Sequence, residues 1–228
     1  MVEYYNGSVF NTDAEAIVNT VNCTGVMGAG IALEFSLRYP DLLSHYEDLC
    51  KIREIKIGKV DYFHREDITI INFPTKWHFK YPSKLEWIEM GLKNFVETYK
   101  RHNIKSIAFP KLGTNNGKLV WSDVNKLMEK YLNPLDIKVY ICLDKKQEAE
   151  GIEKNMLDSF NETDLRQLSK EIKLRQGQID ILEKFRPFNR FWKIGEIEGI
   201  GIGSYKKIFN YFFDRATKSN VFEQLKLF

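Results

Sequence analysis

Three polar or glycine-rich segments, each following an apolar stretch, hold the residues best suited to chemistry. The first, residues 19–32, is Asn-Thr-Val-Asn-Cys-Thr-Gly-Val-Met-Gly-Ala-Gly-Ile-Ala. A glycine-rich turn that enters a helix offers free backbone N–H groups and the positive end of the helix dipole, which suit a phosphate. The segment lacks the Gly-Lys-Ser/Thr of a P-loop and the dinucleotide spacing. A helix packed closely through small residues is therefore an equal alternative.

The second segment, residues 110–119, is Pro-Lys-Leu-Gly-Thr-Asn-Asn-Gly-Lys-Leu. Glycine and asparagine adopt positive φ at low cost, and successive N–H groups in such a turn can converge on an anion. Taken alone, the segment could equally be an ordinary surface loop. Two such loops after strands of one α/β sheet favour a cleft for a diphosphate.

The third segment, residues 72–79, is Asn-Phe-Pro-Thr-Lys-Trp-His-Phe. Its lysine, Lys76, stands among Trp77, Phe79 and Tyr81, which could desolvate the amine. Desolvation lowers the pKa of a lysine and makes it usable as a nucleophile or a base. A solvated surface charge is the more usual role of a lysine, and residue types alone favour that interpretation. We expect His78 to be structural.

The elements that must position these segments alternate along the first part of the chain. Residue patterns predict strands at 16–19, 67–73, 106–110 and 137–142, with helices at 28–39, after Ser83, and at 122–131. The spacing of Ser83 and Glu86 predicts a capping box. The alternation predicts an α/β layered sheet with helices on both faces. Beyond a boundary at 144–151, the chain is charged and its pattern is helical.

Composition indicates an ordinary globular protein, with 43% hydrophobic residues in a chain of 228. Three widely spaced cysteines exclude a disulfide framework and a Cys-x-x-Cys site, and the four histidines have no metal-binding spacing. We therefore expect no metal and no cofactor. The chain shows no signal-peptide pattern and no membrane-length apolar run, so we expect a reduced, cytoplasmic location.

The charge is distributed unevenly. Residues 1–144 hold 18 basic and 18 acidic side chains, whereas residues 184–228 hold nine basic and four acidic ones. A basic tail on a neutral body suggests a polyanionic partner. Charge alone favours the alternative, a solvated helix face.

Taken together, the three segments resemble a macrodomain of the subgroup that contains the DNA ADP-ribosyl glycohydrolase (DarG) antitoxins and the terminal ADP-ribose protein glycohydrolase. The resemblance covers residues 1–144 and rests on the order and spacing of residues 19–32, 71–76 and 113–121. It implies a three-layer α/β/α fold, with a mixed sheet of about six strands and a cleft for ADP-ribose. Residues 145–228 are expected to form a small all-helical region.

The resemblance also implies roles for individual residues. Lys76 falls on the catalytic lysine of this subgroup, and Asn22 on the residue that contacts the distal ribose. Ser8 and Val9 stand at the adenine contacts, although Ser8 replaces a frequent acidic residue. The two phosphate loops would comprise Gly28, Ala29, Gly30 and Ile31, and Gly113, Thr114, Asn115, Asn116, Gly117 and Lys118. Gly117 occupies the place of a catalytic aspartate in the protein-directed enzyme, which favours the DNA-directed branch.

Residues 194–209 in the basic tail resemble a helix–hairpin–helix motif, with residues 199–201 as the hairpin and 204–213 in the second helix. Such hairpins present N–H groups to a DNA phosphate without reading sequence. The candidate DNA-binding residues are Gly199, Gly201, Lys206 and Lys207. Glu198 replaces the proline that is common before the hairpin. A glycine-rich turn between packed helices and a protein-docking tail are the alternatives.

The function that these features predict is a glycohydrolase that removes ADP-ribose from modified DNA bases, as the antitoxin to a DNA ADP-ribosyltransferase. Its partners would be ADP-ribose or ADP-ribosylated DNA and the cognate toxin, without a membrane. The alternatives are a non-catalytic ADP-ribose reader, and a macrodomain that acts on a free NAD-derived nucleotide or an ADP-ribosylated protein. Lys76 distinguishes an enzyme from a reader, and the tail distinguishes DNA from a free nucleotide.

Overall fold

A computed structural model describes the backbone of residues 1–225 and the side chains of residues 1–218. Lys226, which contributes to the basic tail, lies outside the described residues. The chain divides into two compact units, the first comprising residues 1–145 and the second beginning at Lys146. None of the helices described is both long enough and apolar enough to cross a membrane.

The first unit is built on a mixed six-stranded sheet. The strands are β1 (Val2–Tyr5), β2 (Ala16–Asn22), β3 (Asp61–His64), β4 (Thr69–Lys76), β5 (Ser106–Pro110) and β6 (Lys138–Cys142). They lie in the order β1-β6-β5-β2-β4-β3. Strands β3 and β4 pair antiparallel, and the other neighbouring strands are parallel, which confirms the predicted mixed sheet.

Helices cover both faces of this sheet, as the alternating pattern predicts. Because successive strand side chains point to opposite faces, Ile17 of β2 packs in a different buried cluster from its neighbour Val18. The helices are α1 (Gly30–Arg38), α2 (Pro40–Lys51), α3 (Leu85–Thr98) and α4 (Trp121–Leu132). The cluster with Ile17 contains side chains of α1 and α2, and the cluster with Val18 contains side chains of α3 and α4.

Some local predictions differ from the structure. The sequence patterns missed β1, β3 and α2, and β4 continues to Lys76, past the predicted end at residue 73. The predicted capping box is wrong, because α3 begins at Leu85 and its N-cap, Lys84, has no side-chain cap. Ser83 instead donates its backbone N–H to the carbonyl oxygen of Gly117 (2.9 Å). A tertiary contact with the second loop has taken the place of the local cap.

All the regular secondary structure in the described part of the second unit is helical. A cluster of aromatic rings fills its core, including Phe160, Phe191 and Phe212. Next to these rings, the buried Arg190 forms an ion pair with Glu153 (Nε to Oε1, 3.0 Å). The helices are α5 (Gly151–Glu162), α6 (Leu165–Ile172), α7 (Gln176–Phe185), a 3₁₀ helix (Phe191–Glu196) and α8 (Ile202–Leu225).

Candidate active site

Strands β2 and β4 bring Asn22 and Lys76 together at the carboxyl end of the sheet. Their ladder pairs Asn19 with Asn72 and, after a bulge at residues 21–22, Asn22 with Lys76. Inside the core, the Asn19 Nδ2 donates to the Asn72 Oδ1 (3.0 Å), whose Nδ2 donates to the Asp61 Oδ2 (3.0 Å). These polar bonds fix one register, and a slip would turn every side chain to the other face. The register therefore determines which residues meet at the site.

Asn22 is 6% exposed and is held almost completely by its own turn. Its Oδ1 accepts from the backbone N–H (2.9 Å) and the hydroxyl (2.6 Å) of Thr24, and its Nδ2 donates to the carbonyl oxygen of Val26 (2.6 Å). An amide nitrogen has two N–H groups, so one remains to donate to a ligand. The buried Tyr46 hydroxyl donates to the Asn22 carbonyl oxygen (2.8 Å). No sequence pattern indicated this contact, because Tyr46 lies on helix α2, which was not predicted.

The first predicted phosphate loop leads into α1 and leaves its N-terminus open. The N-cap residue, Ala29, has no side chain that can cap, and the N–H groups of Gly30 and Ile31 have no partner within residues 1–225. Such groups are available to an anion. Gly30 has a φ of +57°, and a Cβ there would lie 2.9 Å from the Asn116 Nδ2. The two loops therefore meet at this point, and a side chain at position 30 would require a left-handed backbone and a shift of the exposed Asn116 side chain.

The second predicted loop is a tight turn, closed by a bond from the Leu119 N–H to the Gly113 carbonyl oxygen (3.0 Å). The N–H groups of Thr114, Asn115 and Asn116 have no partner in the part of the chain that the structure describes. A Cβ at Gly117 would overlap the Gly113 carbonyl oxygen and the Ser83 Oγ. Close packing therefore requires glycine at 117 and leaves no space for the aspartate of the protein-directed enzyme.

Lys76 connects β4 to the second loop. Its half-buried Nζ donates to the carbonyl oxygens of Phe79 (2.9 Å) and Asn116 (2.8 Å). Desolvation by burial lowers the pKa of Lys76, and the positive charge of Lys118 lowers it further. A neutral amine keeps two N–H donors for the two carbonyls, so its lone pair occupies the remaining tetrahedral position. The two carbonyls therefore leave one open position at the nitrogen, which a lone pair occupies in the free amine and a third N–H occupies in the ammonium form.

Other nucleophiles near Lys76 are less suitable. Burial raises the pKa of the Cys23 thiol, next to Asn22, to about 11. The thiol, not the reactive thiolate, is therefore the form present near neutral pH. No group of three or more His, Cys, Asp or Glu residues suited to a metal ion occurs within the residues described. Lys76 is accordingly the candidate for covalent or proton-transfer chemistry.

The predicted adenine contacts lie at the 3₁₀ helix Val9–Asn11. The Val9 side chain is 1% exposed and packs in the core with Met27 and Phe35. Ser8 is partly exposed, and its carbonyl oxygen accepts from the Asn11 N–H (3.1 Å). A ligand could therefore meet Val9 only through its backbone, and the side-chain role of Ser8 stays a prediction.

The six-stranded sheet with helices on both faces defines an α/β/α protein. The two loops with unpartnered backbone N–H groups in the described residues form a candidate anion cleft at the strand ends. The family model described as "Macro domain" matches residues 18–128. The macrodomain of Mycobacterium tuberculosis DarG is 44% identical, with a TM-score of 0.60, and the match covers 62% of this chain and 97% of that one. This chain belongs to the macrodomain family, which confirms the resemblance seen in the sequence.

Further relatives share this macrodomain region. The macrodomain of Thermus aquaticus DarG is 35% identical, with a TM-score of 0.60, over 63% of this chain and 98% of that one. Thermosipho africanus DarTG, solved in complex with ADP-ribose, is 34% identical, with a TM-score of 0.62, over 67% and 44%. A curated relative, the "DNA ADP-ribosyl glycohydrolase" of M. tuberculosis, is 41% identical over 67% of this chain and 46% of its own length. This chain therefore spans about half the length of that relative.

Proposed function

We propose that this protein is a glycohydrolase that removes ADP-ribose from modified DNA bases. The observation that carries the proposal is the half-buried Lys76 amine, held by two carbonyls beside Asn22 and the second loop. Relatives named DNA ADP-ribosyl glycohydrolase support the DNA-directed activity. The packing at Gly117 supports it too, because the aspartate of the protein-directed enzyme does not fit there.

In the proposed complex, the open amides of the two loops bind the diphosphate of ADP-ribose. The residues are Gly28, Ala29, Gly30 and Ile31 in the first loop and residues 113–118 in the second. Asn22 donates its remaining N–H to the distal ribose, and the segment at Ser8 and Val9 faces adenine. Backbone N–H groups suit this ligand because they bind phosphate oxygens without a compensating side-chain charge.

The chemistry proposed for Lys76 begins from its neutral form. The lone pair attacks the anomeric carbon of the distal ribose, the bond from that carbon to the base nitrogen breaks, and the electron pair leaves with the base. The base nitrogen takes up the proton that the alkylated amine loses. Opening of the sugar ring then gives an imine, which borohydride would trap and which water hydrolyses to ADP-ribose and free Lys76. In the alternative route the ammonium form of Lys76 transfers a proton to the departing base nitrogen while water adds to the anomeric carbon, and no adduct forms. A lowered pKa assists both routes, because it supplies free amine for attack and makes the ammonium form a stronger acid.

We further propose that the protein counteracts a cognate DNA ADP-ribosyltransferase, as an antitoxin in the cytoplasm. A relative from Thermosipho africanus is described as a "DNA ADP-ribosyl transferase-DNA ADP-ribosyl glycohydrolase fusion protein" and is 36% identical over 175 residues. That fusion joins both activities in one chain. An enzyme that reverses a base modification needs an enzyme that installs it, so a transferase is the expected partner here.

The function is tested by the pH dependence of ADP-ribose release from an ADP-ribosylated oligonucleotide. Attack by the free amine predicts a rate that rises with pH through the lowered pKa of Lys76, whereas proton donation by the ammonium form predicts a fall over the same range. Lys118→Asn should move this limb to higher pH, because loss of a neighbouring positive charge favours the ammonium form of Lys76 and raises its pKa. Asparagine is chosen because residue 118 has a φ of +61°. Chromatography of released ADP-ribose at each pH gives kcat/KM.

Lys126→Asn is the matched control, since Lys126 is an exposed lysine on α4. Its pH profile should coincide with that of the wild type. A profile that does not move in Lys118→Asn would contradict the proposed charge coupling. Binding of ADP-ribose without any release would leave a non-catalytic reader as the function.

We also propose that the second unit binds the DNA backbone through residues 199–207. Gly199 has a φ of +93°, and its carbonyl oxygen accepts from the Gln178 Nε2 (3.3 Å). Open space surrounds Gly201 and Gly203, where the turn enters α8. Before this hairpin the structure has a six-residue 3₁₀ helix, and α8 begins at Ile202 and runs past the predicted end at residue 213. The hairpin is thus fixed in place with an open outer surface.

The tail prediction is that Lys206→Glu with Lys207→Glu weakens DNA binding and flattens its salt dependence by about one log–log unit per lost phosphate contact. Titration of a labelled oligonucleotide at several salt concentrations measures both quantities. Lys154→Glu with Lys170→Glu makes the same change in net charge at exposed positions elsewhere in the second unit. If both double variants lose affinity equally, net charge rather than the hairpin governs binding. An unchanged salt dependence of DNA binding in Lys206→Glu with Lys207→Glu would contradict the proposed contact between the hairpin and DNA phosphates.

A further inference from the structure

Three aromatic side chains directly after β4 are exposed. Trp77 is 61%, Phe79 42% and Tyr81 61% exposed. Large apolar groups clustered at a protein surface commonly mark a binding site. We call these three side chains the aromatic platform. None of these three side chains has a proposed role in binding the diphosphate, the ribose or the adenine of ADP-ribose.

Two hydrogen bonds fix the backbone that carries the aromatic platform, and each connects it to a residue in or next to the candidate active site. The Trp77 carbonyl oxygen accepts from the Cys23 N–H (3.2 Å), next to the ribose residue Asn22. The Phe79 carbonyl oxygen accepts from the Lys76 Nζ (2.9 Å). The aromatic platform therefore adjoins Asn22 and Lys76, the residues proposed to contact the distal ribose and its anomeric carbon.

Contacts with His78 hold two of the three exposed rings, Phe79 and Tyr81. The His78 ring stacks on Phe79 with ring centroids 4.5 Å apart and lies 5.3 Å from Tyr81. The Tyr81 N–H donates to the His78 carbonyl oxygen (3.1 Å), which closes a turn. Preorganised rings lose little conformational entropy when a ligand binds. His78, expected from the sequence to be structural, supports this arrangement.

The charges around the aromatic platform complement a polyanion. Residues 68–85 contain no aspartate or glutamate, whereas Lys80 and Lys84 lie on either side of Tyr81 in the sequence. Lys80 and Lys84 are exposed. Aromatic faces beside lysines suit a nucleic-acid strand, because bases stack on the rings while ammonium groups meet phosphates. Bases inside a duplex are stacked on one another and cannot use such faces.

From this arrangement, and on the basis of the proposed function, we infer that the aromatic platform binds the unpaired bases next to the modified nucleotide. Trp77 and Tyr81, the most exposed of its rings, form the stacking faces. The platform thereby selects single-stranded DNA over duplex DNA and over ADP-ribosylated protein. Its contribution is to the affinity for the strand and not to the chemistry at the anomeric carbon.

The experiment compares binding of the full chain to an unmodified single-stranded oligonucleotide and to its duplex, by fluorescence anisotropy. The wild type should prefer the single strand. Trp77→Ala with Tyr81→Ala should weaken single-strand binding about tenfold or more, since each stacked base contributes that order of affinity. Binding of the duplex and of ADP-ribose should change less than about twofold. Trp77→Phe with Tyr81→Phe should retain the preference, because the ring faces remain.

Ile52→Ala with Met90→Ala removes exposed apolar side chains elsewhere in the first unit and is the matched control. The inference is overturned if the alanine pair binds the single strand as the wild type does, or if the wild type shows no preference for it. In the first case an ADP-ribosylated peptide becomes the better partner for this surface. The binding readout requires no turnover. If the protein binds single strands through these rings but releases no ADP-ribose, the proposed function is wrong and the inference about the aromatic platform still holds.

Discussion

Lys76→Ala should abolish release of ADP-ribose from modified DNA while leaving the affinity for ADP-ribose within a few fold. The amine is the group placed for attack or proton transfer, and loss of such a group reduces rates by about 10²–10⁴-fold or more. The diphosphate contacts are expected to come from backbone N–H groups of the two loops, which the substitution leaves in place. Single-turnover chromatography measures release, and calorimetric titration measures ADP-ribose affinity.

Lys76→Arg should be nearly as inactive, because a guanidinium does not deprotonate near neutral pH and has no lone pair to direct into the cleft. This variant keeps the positive charge and distinguishes charge from amine chemistry. Lys126→Ala, at an exposed lysine of α4, should retain full activity. Full turnover by Lys76→Ala would contradict the catalytic assignment and favour a hydrolase that acts through bound water.

The layered fold was predictable because its strands are short apolar runs between helical patterns. Residues 67–73 and 106–110 are nearly continuous in apolar character, as strands buried on both faces must be. Strands β1 and β3 were missed because they lie at the edges of the sheet, where the Glu3 and His64 side chains are exposed. Edge strands carry a weaker apolar pattern, so local periodicity does not reveal them.

The active site was less predictable from residue types, since its geometry depends on contacts between distant segments. Lys76 looks like a surface lysine until its Nζ is seen to contact the Asn116 carbonyl oxygen, 40 residues away. Only the resemblance to a family pointed to its role. Ser83 shows the opposite error, because a strong local signal for a helix cap gave way to a bond with Gly117. Local propensity cannot anticipate such competition.

Gly30→Glu should reduce ADP-ribose affinity by at least about 100-fold, to the limit of calorimetric detection. Position 30 has a φ of +57°, and a Cβ there would lie 2.9 Å from the Asn116 Nδ2, where the two loops meet. A glutamate would displace the exposed Asn116 side chain and place a negative charge where the diphosphate is proposed to bind. The left-handed backbone alone costs about 1–2 kcal/mol for a residue other than glycine.

Two further variants separate the effects combined in Gly30→Glu. Gly30→Ala introduces the steric conflict without the charge and should lose less affinity. Gly177→Glu introduces the same acid at a helical glycine with nothing within 4 Å of an added Cβ, so it should bind ADP-ribose normally. Thermal melting identifies any variant that fails to fold. A folded Gly30→Glu protein with unchanged affinity would place the diphosphate outside the two loops, because the acid cannot occupy their junction without repelling a bound phosphate.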